Sequence, residues 1–117
     1  MTGENTALGT IEISPDAIAA IAYQAAIRSY GVVGLASRNL VDGLANVIAR
    51  DPRHGVAVST NGEDILIDIY VIVEYGTRIA SVASSVANTV RFQVEKALGM
   101  PVKAVNVHVQ GLRVSEG

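Results

Sequence analysis

Residues that could do chemistry are few in this chain of 117 residues, and they are scattered. His108 lies in the alternating run Val105-Asn-Val-His-Val-Gln110, and Asp68 begins the run Asp68-Ile-Tyr-Val-Ile72. If those two runs form adjacent strands, Asp68 meets His108 and an acid/base pair becomes conceivable. A solvated histidine on a half-wet sheet is the simpler reading, because polar/apolar alternation is ordinary for such a sheet. His54 lies in a turn, and neither histidine has a companion at metal-ligand spacing. Ser14 stands just before Pro15-Asp16, where its hydroxyl serves a helix start better than a nucleophilic attack. Gly31-Val-Val-Gly34 has the GxxG spacing of KH modules, whose backbone clamps phosphates, but its middle residues are apolar. A helix end followed by a tight entry into a strand explains it better. No P-loop, dinucleotide fingerprint or carboxylate pair occurs. With no base, nucleophile and charge stabiliser converging, an enzyme is the least expected class, and no cofactor or metal is expected.

The elements that would position these residues must come from aliphatic packing. Half of the residues are hydrophobic, only 4% are aromatic and cysteine is absent, so the core is built from Val, Ile, Leu and Ala, and thiol chemistry and disulfides are excluded. The formal charge is −2, and the nine basic residues form no stripe. Binding to nucleic acid or to an anionic membrane through many phosphates is therefore disfavoured unless the fold assembles a local patch. The start MTGENTALG lacks a basic segment followed by an apolar one, and no run approaches the roughly 18 apolar residues of a membrane span. A cytoplasmic protein without direct membrane insertion is expected.

Residues 1–8 read as a disordered leader to a single domain over 9–117, with a brief strand at 9–13. Ser14-Pro15-Asp16 opens a helix whose apolar face is Ile18, Ile21, Ala22 and Ala25 and which Tyr30-Gly31 caps. A short strand over 32–37 follows, and residues 38–50 carry a modest helix weakened by Gly43. Asn61-Gly62 is a two-residue hairpin turn. It pairs Thr60 with Glu63, Val58 with Ile65 and Val56 with Ile67, and puts Ile65, Ile67, Ile69, Val71 and Val73 on one core face. Thr77 caps a long helix ending at Leu98 before Gly99-Met-Pro101, with Ile79, Val82, Val86, Val90 and Ala97 inward. Gly111 marks a β-bulge in the final strand. The fold class is α+β, a two-layer sandwich with two main helices and a short one on one face of a largely antiparallel sheet of four to five strands.

Two surfaces remain without an assigned cover. Tyr23, Ile27 and Tyr30 form a second stripe on the first helix, and Ser81, Ser85, Asn88 and Phe92 form the outer face of the long one. Together they are the candidate surface for self-association or partner docking, since small residues permit close approach and aromatic residues anchor interfaces. Asp68, Tyr70, Ile72, Asn106, His108 and Gln110 make a candidate open sheet face.

The segments GTIEIS, SYGVVGLAS, VDGLANVIAR, GVAVSTNGEDILIDIYVIVEYG and VNVHVQGLRV, in this order over residues 9–114, resemble the bacterial alkaline shock protein 23 family, also called the glucose-starvation general stress family. The resemblance implies a small cytoplasmic bacterial protein without catalytic residues, tied to cell-envelope stress and homeostasis. It further implies self-assembly and a protein partner, either a membrane-anchored protein or a fatty-acid or dihydroxyacetone-type kinase. Two other readings stand beside it: a regulatory module holding an acyl group or lipid metabolite between the 38–50 helix and the sheet, and a KH-like RNA-binding module.

Overall fold

A computed structural model describes residues 14–36, 55–62 and 64–114. The expected leader, the strand over 9–13, the helix over 38–50 and His54 lie outside the described residues. Helix α1 spans Pro15–Ile27, with Ser14 Oγ accepting from the Asp16 amide at 3.1 Å, Pro15 in the first turn and Asp16 at the positive helix end. Strands β1 (Val32–Leu35), β2 (Val56–Asn61) and β3 (Asp64–Glu74) follow, then helix α2 (Ile79–Leu98) and strand β4 (Ala104–Arg113).

β3 organises the sheet. β1 and β2 lie end to end along one of its edges, both antiparallel to it: Val32 and Leu35 pair with Val73 and Val71, and β2 begins opposite Ile69. The Ala36 amide continues the β1 ladder by donating to Tyr70 O at 2.8 Å. β4 runs along the other edge in parallel with β3, and α2 is the crossover that a parallel pair requires. The sheet is thus largely antiparallel with one parallel edge, and α1 and α2 pack on its odd-numbered face. That face holds Ile65, Ile67, Ile69, Val71 and Val73 against Ile18, Ala19, Ala22, Ala25 and Ala26 of α1 and Val82, Val86, Val90 and Val94 of α2. Each buried Val or Ile contributes about 1.5–3 kcal/mol, and the described core contains no buried polar side chain that could rival this.

Several local expectations change. The hairpin pairs Asn61 with Asp64, Thr60 with Ile65, Val58 with Ile67 and Val56 with Ile69, two positions along β3 from the expected register. Gly62, at φ +66°, takes the first position of the turn, while Asn61 remains in the ladder. The shift is even, so every side chain keeps its face. The C-cap of α1 is Arg28, and Gly31 instead occupies the third position of a turn closed by the Val32 amide on Ser29 O at 3.2 Å. Its φ of +85° suits a type II turn. Thr77 does not cap α2: its hydroxyl donates back to Glu74 O at 2.7 Å, which leaves Arg78 as the N-cap without a side-chain bond. The inward series of α2 runs Val82, Val86, Val90 and Val94, while Ile79 and Ala97 are exposed, because an i, i+4 ridge drifts around the helix. Gly99, at φ +71°, ends α2, and the bulge expected in the last strand shifts the β4 register at Gln110-Gly111. Arg91 and Glu95 then pin the connection to β4. Arg91 donates to Val102 O at 2.6 Å, and Glu95 Oε2 accepts from the Val102 amide at 2.8 Å.

Candidate functional site

Three surfaces emerge from this frame. On the even-numbered face of the sheet, Asp68 registers with Asn106 and Tyr70 with His108. The expected meeting of Asp68 and His108 occurs as a diagonal contact: His108 Nε2 lies 3.0 Å from Asp68 Oδ1, which also accepts from Asn106 Nδ2 at 3.2 Å. The His108 ring stacks on Tyr70 with centroids 4.7 Å apart and 15° between planes. The carboxylate is engaged twice and the imidazole is held flat against an aromatic ring. This is a cross-strand network at a half-exposed surface, whose individual pairs contribute little. Among the described residues, no three His, Cys, Asp or Glu side chains converge to hold a metal.

Ile72 departs from the expected open face. It is 0% exposed yet stands outside the main core cluster. Its partners across β1 and β4 are Gly34 and Gly111, so its cover does not come from the side chains paired directly beside it. Gly34 and Ala36 are buried with it. The open face is therefore Asp68, Tyr70, Asn106, His108 and Gln110.

The second surface is the helical layer. Tyr23 and Ile27 are half-buried and pack on the core, whereas Tyr30 lies beyond the end of α1 and is 80% exposed, so the expected stripe divides at the helix terminus. Ser81, Ser85, Asn88 and Phe92 are exposed together along α2, with Phe92 at 61% and Lys96 Nζ 5.9 Å from its ring centroid. A cation at that distance is at the limit of a useful cation–π contact and leaves most of the ring open. A groove of about 460 Å³ joins the two parts, lined by Tyr30, Arg78, Ser81, Val82 and Ser85 among others. Gly31 explains how α1 and α2 come together here. A Cβ on it would stand 2.5 Å from Val82 Cγ2, so the turn approaches α2 more closely than any side chain allows. The same contact removes the KH-like reading of the two glycines, since Gly31 is packed against a helix and Gly34 is buried within β1.

Sequence reasoning missed the third surface. Tyr75, Ile79, Leu112 and Val114 are exposed near Tyr30 at the end of the sheet where β3 and β4 finish. Continuity is set by backbone bonds: Glu74 N donates to Gly31 O, and Tyr75 N to Arg113 O, each at 2.8 Å. The available signal was the apolar series resuming at Leu112 after the bulge, on an edge strand that outruns its helical cover.

Residues 3–114 match the alkaline shock protein 23 family, described as having cell envelope-related function. Over 112 residues the chain is 44% identical to YloU of Bacillus subtilis (strain 168), spanning 94% of this chain and 93% of YloU. It is 34% identical over 112 residues to Spy1614 of Streptococcus pyogenes, with the same shares of 94% and 93%. Among solved structures, the copper form of the MamM CTD superposes with a TM-score of 0.53 at 16% identity, over 87% of this chain and 90% of that one. That likeness is one of fold.

Proposed function

Because the chain belongs to the alkaline shock protein 23 family, whose function is cell envelope-related, we propose that it is a non-catalytic cytoplasmic assembly module that binds a second copy of itself and a protein partner through its helical layer. The observation that carries this reading is Phe92, the chain's one phenylalanine, 61% exposed on α2 in line with Ser81, Ser85 and Asn88. A solvent-exposed aromatic costs nothing in a monomer but gives a binding anchor, and the small side chains beside it let another helix approach. The engaged state of Asp68 and His108, a carboxylate shared with Asn106 and an imidazole stacked on Tyr70, supports a contact protein over a catalyst.

The absence of cysteine makes a direct test possible. Ser85→Cys in the full chain, treated with a short bis-maleimide, is expected to yield covalent dimers, whereas Gln110→Cys on the other sheet face stays single. Equal linking of both variants, or of neither, contradicts assembly through α2.

A further inference from the structure

We propose that the end of the domain formed by the 28–31 turn, the 75–79 turn and the end of β4 is a docking surface for an anionic lipid bilayer. Six large hydrophobic side chains are prominently exposed among the described residues, and five of them, Tyr30, Tyr75, Ile79, Leu112 and Val114, belong to this end. Exposed apolar side chains scattered singly are ordinary, but their concentration at one place marks a contact surface.

The charges sort in the same way. The basic residues show no stripe along the sequence, yet the fold gathers Arg28 at the C-cap of α1, Arg78 at the N-cap of α2 and Arg113 at the end of β4 around these side chains. Glu74 is the one described carboxylate in the same turns, and both it and Arg113 are already engaged. Arg28 and Arg78 are exposed and make no ion pair within the described residues. The opposite end of the sheet is built differently, with Lys103 Nζ paired to Asp64 at 3.3 Å and no large hydrophobic side chain exposed on the described strand residues there.

The side-chain types favour lipid over a folded partner: the apolar groups come from three segments at one end of the sheet, and they need only to reach the headgroup and upper acyl region, a depth of about 5–10 Å. Tyr30 and Tyr75 are amphipathic rings suited to the headgroup level, while Arg28 and Arg78 lie beside them to meet phosphates. The overall charge of −2 does not oppose this, because charges more than about 8–10 Å away are screened at physiological salt. No helix among the described residues is long and apolar enough to cross a membrane, so the contact is peripheral.

The test is sedimentation of the full chain with vesicles of phosphatidylglycerol and phosphatidylcholine in equal parts, beside vesicles of phosphatidylcholine alone. Binding is expected on the anionic vesicles, weaker at high salt. The double variant Arg28→Gln, Arg78→Gln should lower the partition coefficient about thirtyfold, since each arginine near an anionic surface is worth about a factor of five. Tyr75→Ser should lower it as well, and both variants should melt as the parent does, because none of the three side chains is buried. Phe92→Ser should leave vesicle binding unchanged, which separates this surface from the assembly face on α2. No binding, equal binding to neutral vesicles, or full binding by the double variant overturns the proposal.

Discussion

The two sides of α2 are written in the same twenty residues and have opposite surroundings. Inward, Val82, Val86, Val90 and Val94 vanish into a core made of β-branched side chains; outward, Ser81, Ser85, Asn88 and Phe92 remain in water. The inner side is committed to its present partners, since the helix packs against α1 and β4 and its four valines belong to the core cluster. The outer side has spare contact capacity. Under the proposed assembly reading, stability and binding are separable in this helix, and substitutions can be ranked by which side they touch.

The largest effect should come from the shared interior. Ile69→Ala, at the centre of β3 and 0% exposed, should cost about 2–5 kcal/mol in denaturant unfolding, and a cost below that range would mean a looser core than the burial shows. Gly31→Ala comes next, because it combines a φ of +85° with a clash against Val82 and should cost about 1–3 kcal/mol. A neutral result would show that the α1–α2 junction is free to move. Asp68→Ala removes the acceptor shared by Asn106 and His108 and should cost no more than about 1 kcal/mol, given its half-exposed setting. A larger loss would promote that face from surface network to structural element. Phe92→Ser, on the outer side, should change unfolding by less than about 0.5 kcal/mol at concentrations low enough that the parent is a single chain.

Much of the interior was legible because its signals are local and periodic. Ser14-Pro15-Asp16 states a helix start on its own, and the odd positions of β3 declare a core face whatever their exact partners. The hairpin register was less legible. Asn61-Gly62 names a turn, but a shift by two preserves every face, so the hydrophobic pattern cannot distinguish the two pairings. Thr77 was misread because a hydroxyl can serve the preceding carbonyl as well as the following amides. The surfaces were the least legible. Ile72 shares its strand face with Asp68, Tyr70 and Glu74 and reads as open, and only its complete burial in the fold reveals a covered position. The outer residues of α2 could be named from helical spacing. The apolar end could not, because Tyr30, Tyr75 and Leu112 come from distant parts of the chain and meet only through the backbone bonds at Gly31, Glu74 and Arg113.

Light scattering on the full chain, with the parent and Phe92→Ser compared at matched concentration, tests most directly whether the outer side of α2 is an assembly face. The parent should have a mass above the 12.2 kDa of one chain, and the variant should fall towards that value while still melting cooperatively as a folded domain. Identical masses for the two proteins would contradict assembly through this face.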